Sequence, residues 1–162
     1  MLTTVTGSPD STPIDLGLSH VALVVQDLDA SIVFYRQFAE MHVVHQRHDE
    51  HSRVAWISDL TRPFVIVLIQ SGAAPHAPLN GWAHLGVACH SRSEVDERCN
   101  LARTQGYLVQ GPADDGPPVG YWAFIADPDG HNLELSFGQH VGVAVGQVAD
   151  HDSHLPPTEP TP

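Results

Sequence analysis

An internal repeat constrains the fold of this chain more than any other feature of its sequence. The segments SHVALVV (19–25) and AHLGVAC (83–89) are both apolar, and each has a histidine at its second position. Later in each half, VAWISD (54–59) matches WAFIAD (122–127), with an aromatic residue inside and an aspartate at the following turn. Sequence identity between the halves is slight, but order and spacing agree, which indicates two copies of one structural unit.

Each half continues from its first strand into a predicted helix. In the first half, Asp27 or Asp29 can cap a helix that carries apolar residues at near-helical spacing. In the second half, Ser91 and Glu94 have the spacing of a capping box, and Gly106 is expected to end the helix.

Three short strand-like segments follow each helix. They cover about 41–48, 53–58 and 63–70 in the first half, and about 107–110, 120–126 and 131–138 in the second. Each half is therefore predicted to be a βαβββ unit, a curled sheet with a helix on its back. Two such units can close a cup that is lined by alternate residues of their strands. We expect an α+β fold of two tandem βαβββ modules, which form a cup-shaped curled mixed sheet with the helices on the outside.

The repeat also suggests the domain limits. The two modules cover about residues 17–74 and 82–138, within a single domain of residues 16–140. Residues 1–15 are rich in Thr, Ser, Pro and Asp, and residues 148–162 are acidic and Pro-rich with little to bury. This composition predicts a disordered N-terminal tail (1–15) and an acidic, Pro-rich C-terminal tail (141–162).

Composition excludes some partners. The 162 residues suffice for one domain and a sizeable core. The formal net charge is −12 with only seven Lys plus Arg, which argues against nucleic acid as a partner. The sequence has no apolar run of membrane-spanning length and no signal-peptide pattern, so we expect a cytoplasmic protein without a membrane partner. Cys89 and Cys99 lack CxxC spacing and are expected to be reduced packing residues.

Four of the twelve histidines are spaced by three residues: His42, His45, His48 and His51. On a regular strand, alternation places His42 and His48 on one face and His45 on the other, so they cannot form one site without a bend. A polar edge strand with solvated imidazoles is therefore favoured over a metal cluster.

Three other polar residues are candidates to face the cup. His20 and His84 occupy equivalent positions in the two repeats, and Glu134 lies between Leu133 and Leu135 on the last strand. If the leucines face the helix, Glu134 faces either the cup or solvent. Two imidazoles and one carboxylate can form a facial set that binds Fe(II), Mn(II) or a similar ion and leaves sites open. Either histidine alone could instead be a core residue with a hydrogen-bond partner.

The opening SHVALVVQDLDASIVFYRQF and the ending FIADPDGHNLEL resemble the vicinal oxygen chelate superfamily, the glyoxalase, bleomycin-resistance and extradiol-dioxygenase group. The resemblance covers about residues 17–140. It implies a βαβββ repeat, a metal at the centre of the cup, and a small-molecule substrate that chelates the metal through neighbouring oxygens. It further implies that His20, His84 and Glu134 are the metal ligands, and it makes a homodimer plausible because such small cups often pair.

The first repeat departs from the glyoxalase pattern, which has a second carboxylate on the matching strand. Val67, or Ile66, stands at that place, and no Asp or Glu occurs between positions 60 and 93. Gln70 is the one polar substitute on this strand. A set with a single acid resembles the extradiol dioxygenases, which use Fe(II), and the fosfomycin-resistance transferases, which use Mn(II). The few arginines and the absence of lysine give no cradle for a phosphonate, which favours the dioxygenases.

The remaining site residues are less well specified. The dioxygenase signature places a tyrosine three residues before the turn aspartate, where this chain has Phe124. Tyr121 and His140 are therefore the candidates for a catalytic acid, base or hydrogen-bond donor. Trp56, Trp82 and Phe124 are expected to form a substrate-binding aromatic wall.

Three functions remain open. The first is an extradiol-type dioxygenase that uses Fe(II), or Mn(II), on a small catechol-like or other vicinal-oxygen substrate; Zn(II) and Ni(II) also suit the ligands. The second is a non-redox glyoxalase-type lyase, isomerase or epimerase. The third is a metal-free resistance protein that binds a small molecule. In each case the loop GPADDGPPVG (111–120) is expected to rim the cavity.

Overall fold

The structure of the protein is a computed structural model, which describes residues 17–70 and 77–152. The first repeat consists of β1 (His20–Val24), α1 (Leu28–Ala39), β2 (His42–His48), β3 (Arg53–Ser58) and β4 (Val65–Gln70). The second consists of β5 (Leu85–Ala88), α2 (Arg92–Gln105), β6 (Leu108–Asp114), β7 (Tyr121–Ala126) and β8 (Asn132–Phe137). The predicted element order is confirmed in both repeats.

The strands form two four-stranded mixed sheets, one from each repeat. Sheet A has the order β1-β4-β3-β2, and sheet B has the order β5-β8-β7-β6. In each sheet the first strand of the repeat runs parallel to the last strand, and the other pairs are antiparallel. The α+β class and the tandem βαβββ architecture are thus confirmed.

The starts of α1 and α2 and the end of α2 agree with the predicted capping residues. Of the two candidates for the cap of α1, Asp27 is the N-cap, and its carboxylate accepts hydrogen bonds from two backbone N–H groups of the first turn. The Ser91 hydroxyl accepts from the backbone N–H of Glu94 at the start of α2. Gly106 ends α2 in the left-handed conformation (φ 80°), which costs glycine little because it has no Cβ.

One core joins the two repeats on the helix side of the sheets. Phe34 and Phe38 of α1 are buried and pack edge-on against Tyr107, just after α2. Each buried ring of this kind stabilises the fold by on the order of 2 kcal/mol. The hydroxyl of Tyr35 on α1 also donates to the buried carboxylate of Asp127, before β8. Because the repeats share this core, the opposite face of each sheet is left to carry the polar candidates.

The histidine-rich strand β2 differs from the prediction. Its register with β3 shifts between Val43 and His45, so that His42 lies opposite Ser58 and His45 opposite Trp56. Ser58 and Trp56 are on one face of β3, and the bulge therefore brings His42 and His45 to the same face. The predicted alternation of these two histidines is wrong for that reason. All of β2 is solvent-exposed, as expected for a polar edge strand.

The C-terminal segment also differs from the prediction. Val141–Asp152 form a helix, α3, in the region assigned to a tail. The four valines of α3 are exposed, and residues 141–148 of the helix present no buried face. The predicted tail 1–15 and residues 153–162 lie outside the described residues. Among the helices of residues 17–70 and 77–152, none is long and apolar enough to cross a membrane.

Candidate metal centre

Strand pairing shows which positions of the two repeats are equivalent. In sheet A, Ala22 of β1 lies opposite Val67 of β4; in sheet B, Gly86 lies opposite Glu134 of β8. Ala22 and Gly86 each come two residues after the histidine of their repeat. Val67, rather than Ile66, is therefore the structural counterpart of Glu134, and the first repeat has a valine where the second has its carboxylate.

His84 and Glu134 form the centre of the site on sheet B. Nε2 of His84 lies 3.3 Å from Oε2 of Glu134. Nδ1 of His84 lies 2.8 Å from the carbonyl oxygen of Trp82, and because a carbonyl only accepts, Nδ1 carries a proton. In the neutral imidazole, Nε2 then has a lone pair and no proton. Nε2 of His84 and Oε2 of Glu134 are therefore both acceptors, and their close approach is favourable only with a cation between them. A proton there gives an ion pair, and a divalent ion gives a metal centre.

Glu134 is held in place by its surroundings. The residue is 6% exposed, in a strand with neighbours on both sides. Its other oxygen, Oε1, accepts a hydrogen bond of 2.5 Å from Nε2 of Gln139. Gln139 was not predicted as a site residue. It follows the end of β8, and no sequence pattern indicates that its side chain folds back to contact Glu134. The carboxylate is thus oriented with one oxygen bound and one directed at His84.

An aromatic cluster packs beside the pair. The ring of Phe124 is buried and lies 4.9 Å from the His84 ring and 5.0 Å from Trp122. Trp82 lies 6.1 Å from Phe124 and is 77% exposed. The indole N–H of Trp122 donates to Asp115, which belongs to the loop that was expected to rim the cavity. Two of the three predicted aromatic residues, Trp82 and Phe124, therefore lie next to the pair.

His20 lies on the other sheet, in a separate cavity of about 570 Å³. Its Nδ1 is 3.0 Å from the hydroxyl of Ser19. Trp56, the third predicted aromatic residue, lines the same cavity together with Val67 and packs against His45. Within residues 17–70 and 77–152, no three His, Cys, Asp or Glu side chains come together as a metal-binding group. Of the predicted ligands, the structure brings together His84 and Glu134 and leaves His20 apart.

Tyr121 faces away from the pair. It is three residues from Phe124 on β7 and therefore on the opposite face. Its hydroxyl donates to Asp96 of α2 at 2.6 Å, and the guanidinium of Arg92 lies over its ring. The hydrogen bond to Asp96, with burial, raises the pKa of Tyr121 to about 12. The side chain of Tyr121 thus lies on the helix side, away from His84 and Glu134, and its catalytic role stays a prediction.

Two further candidates have other surroundings. His140 is exposed just before α3, and its backbone N–H donates to the carbonyl of Pro118. The amide oxygen of Gln70 accepts from the backbone N–H of Leu28, at the start of α1. Gln70 therefore satisfies the helix terminus and does not replace the missing carboxylate.

The family of the chain follows from comparison with known proteins. A family model described as the Glyoxalase/Bleomycin resistance protein/Dioxygenase superfamily matches residues 17–135. The chain belongs to this superfamily. It is 37% identical over 127 residues to an uncharacterized protein, PA2024, of Pseudomonas aeruginosa, covering 77% of this chain and 91% of that protein. It is 28% identical over 124 residues to a probable lactoylglutathione lyase of Vibrio cholerae, covering 72% and 86%.

Solved structures of the superfamily share the fold. Glyoxalase I of Leishmania major superposes with a TM-score of 0.62 at 18% identity, over 87% of this chain and 100% of that one. A mutant of the fosfomycin resistance protein FosX of Listeria monocytogenes superposes with a TM-score of 0.62 at 20% identity, over 82% and 99%. That FosX structure is a complex with Mn(II) and 1S,2S-dihydroxypropylphosphonic acid. At these identities the likeness establishes the fold, and members of the superfamily bind divalent metals and small molecules.

Proposed function

We propose that the protein is a metal-dependent enzyme in which His20, His84 and Glu134 hold a divalent ion. The observation that carries this proposal is the pair of acceptors, Nε2 of His84 and Oε2 of Glu134, which lie 3.3 Å apart with the other ring nitrogen already bound to a carbonyl. A histidine whose second nitrogen donates to a carbonyl has the hydrogen-bonding pattern of a metal ligand. Imidazole and carboxylate together suit Fe(II) and Mn(II), and also Zn(II) or Ni(II).

The third ligand comes, in this proposal, from a second copy of the chain. His20 is on sheet A, and His84 and Glu134 are on sheet B. In this arrangement one chain contributes His20 to one metal site and the other two ligands to a second metal site. Sheet A presents an open apolar face around His20, where Trp56 is 42% exposed and Val24 is 37% exposed. Covering such a face with sheet B of a partner would bury apolar surface and unite the three ligands. A twofold dimer would then hold two identical sites.

The reaction we favour is extradiol-type cleavage of a small catechol-like substrate, with Fe(II) or Mn(II). Its support is the single carboxylate, since Val67 occupies the position that a second acid would need. His20, His84 and Glu134 would hold the ion, which when bound would bind the substrate oxygens and dioxygen and would lower the pKa of a substrate hydroxyl. Both atoms of dioxygen would enter the ring-opened product, so no external reductant is needed.

The protein residues would orient and enclose the reactants. Gln139 fixes the carboxylate of Glu134, and Trp82 fixes the ring of His84 through its carbonyl. Phe124 fills the place next to the His84 ring with an apolar surface that excludes water. His140 remains the candidate for a proton donor or acceptor, because it directly follows Gln139 in the chain.

A second candidate is a non-redox lyase, isomerase or epimerase, which the 28% identity to the probable lactoylglutathione lyase favours. A requirement for dioxygen distinguishes the dioxygenase from this second candidate. We expect oxygen uptake when the metal-loaded protein is screened with catechols, and none for the His84→Ala variant. Turnover that continues under anaerobic conditions would reject the dioxygenase in favour of the second candidate.

Metal content tests the site before any substrate is known. We expect about one iron or manganese ion per chain, by elemental analysis of untagged protein purified without chelator. Protein that neither contains nor takes up a divalent ion would reject the enzyme proposal and leave a metal-free binding protein. The two buried cysteines, which form no disulfide, support the cytoplasm as the compartment, and cell fractionation would test this.

A further inference from the structure

The cavity on sheet A, which contains His20 of the proposed metal site, has the size of a small-molecule site. Its volume of about 570 Å³ is within the range of about 300–1,000 Å³ that is usual for such sites. Val65, Val67 and Ile69 of β4 line it, together with Trp56 of β3. Arg62 also lines it. A mostly apolar cavity with one cationic side chain in its lining favours ligands that are apolar with one anionic end.

Arg62 stands out among the arginines. Five of the seven donate to a side-chain oxygen: Arg47, Arg53, Arg92, Arg98 and Arg103. Arg62 and Arg36 donate no hydrogen bond to any residue in the described part of the chain, and neither is in an ion pair there. Only Arg62 of these two lines the cavity. Among the described residues no carboxylate pairs with Arg62, so its guanidinium is available to the carboxylate of a ligand.

The turn that carries Arg62 is well defined. The hydroxyl of Ser58 donates to the carbonyl of Phe64 at 2.8 Å and accepts from the backbone N–H of Leu60 at 3.1 Å, which ties the two ends of the turn together. Leu60 has a φ of 62°, which is unfavourable for a side chain branched beyond Cβ. Strained residues of this kind persist where the surroundings impose them, often at ligand sites. The backbone of the turn is therefore well defined, and it carries Arg62 with an exposed side chain.

The acid nearest in sequence does not neutralise Arg62 directly. The carboxylate of Asp59 accepts from the backbone N–H of Thr61 at 2.9 Å and from its hydroxyl at 2.7 Å. Burial would raise the pKa of Asp59, but the hydrogen bonds from Thr61 and the charge of Arg62 outweigh it and hold the pKa below its usual value. Asp59 is thus ionised but is bound to Thr61, outside the ion-pair distance of Arg62.

We propose that the sheet A cavity binds a small amphipathic carboxylate, with its apolar body against Trp56 and Val67 and its carboxylate on the guanidinium of Arg62. Arg can bind a carboxylate through two parallel hydrogen bonds, which gives orientation as well as affinity. His20 lines the same cavity, so a molecule held in this way would present its other end towards the proposed metal ligand. The proposal rests on the proposed function, because the cavity contains His20 of that site and the carboxylate is a further feature of its substrate. The binding itself needs no metal.

The test compares an acid with its neutral isostere. The full-length protein is titrated with 3-phenylpropanoate and with 3-phenylpropan-1-ol, by calorimetry and by tryptophan fluorescence. We expect the acid to bind about tenfold or more tighter than the alcohol. Arg62→Gln should remove that preference without changing the affinity for the alcohol, and Arg62→Lys should retain part of it. The matched control is Arg36→Gln, which removes the same charge from α1, away from the cavity.

Two further measurements locate the binding and separate it from catalysis. Trp56→Phe should abolish the fluorescence change, because only this tryptophan of the three lines the cavity. The titrations are repeated with a chelator. Binding to Arg62 should be the same with and without it, so the result does not depend on whether the proposed metal site exists. Equal affinity for acid and alcohol, or equal effects of Arg62→Gln and Arg36→Gln, would overturn the proposal. A third outcome would also overturn the proposal: the acid binds only without chelator, and Arg62→Gln does not weaken its binding. The carboxylate of the ligand would then bind a metal ion and not Arg62.

Discussion

Mixing two inactive variants tests whether the metal centre is shared between copies. In the proposed dimer, each site takes His20 from one copy and the pair His84 and Glu134 from the other. His20→Ala alone damages both sites, and so does Glu134→Gln alone. In a dimer with one chain of each kind, one site receives both defects and the other receives none. The defects are therefore complementary only if the ligands come from different chains.

The expected magnitude follows from counting. Random pairing of equal amounts gives about half mixed dimers, and each of these has one intact site out of two. The mixture should hold about a quarter of the metal bound by the wild type, against close to none for either variant alone. The assay is elemental analysis of protein produced from two co-expressed copies with different non-histidine tags, after removal of loose metal.

The control is a pair of variants with defects on the same sheet. Mixing His84→Ala with Glu134→Gln should give no recovery, because every site then receives a damaged sheet B from one copy or the other. If the His20→Ala and Glu134→Gln mixture also stays empty while the wild type binds metal, the ligands belong to one chain. Full metal binding by His20→Ala alone would reject His20 as a ligand.

Three further predictions concern single residues. Gln139→Leu should weaken metal binding by about tenfold or more while the fold is retained, because the carboxylate of Glu134 loses the hydrogen bond that orients it; a metal titration monitored alongside circular dichroism checks this. Tyr35→Phe should lower the free energy of unfolding by about 1–3 kcal/mol, because Asp127 loses a buried donor, as measured by urea denaturation. Burial raises the pKa of Cys99 to about 11, so the folded thiol keeps its proton after the unfolded thiol has lost it. The free energy of unfolding should therefore fall as the pH rises from about 9 towards 11, and a Cys99→Ala variant should not show this part of the fall.

The fold could be predicted because its local signals are unambiguous. Helix caps such as Ser91 and Gly106 act within a few residues, and their effect is visible in the sequence. Alternation predicted that Glu134 lies on the face opposite its two flanking leucines, and β8 is a regular strand in which both leucines are fully buried. The equivalence of the repeats was also predictable, and strand register then identified Val67 as the residue in place of the second acid.

The remaining features depend on contacts that no local pattern records. The bulge in β2 changes the face of His45 without changing its residue type. Gln139 donates to Glu134 from beyond the end of β8, and Arg98 of α2 donates to the carbonyl of Phe38 in α1. The separation of His20 from His84 depends on how the two repeats pack, which is decided by the shared core. Fold and individual candidates were therefore accessible from sequence, whereas their assembly into a site was not.

Val67 stands where the second repeat has Glu134, and this makes the matching faces of the two sheets chemically unequal. The face of sheet B carries His84 and Glu134, whereas the cavity on sheet A is lined mainly by aliphatic side chains and Trp56. Substitutions at Val67 or Ile69 would therefore reshape that cavity and leave Glu134 on β8, and His84 just before β5, untouched. A chain built in this way could change the shape of one face without altering the pair of polar side chains on the other.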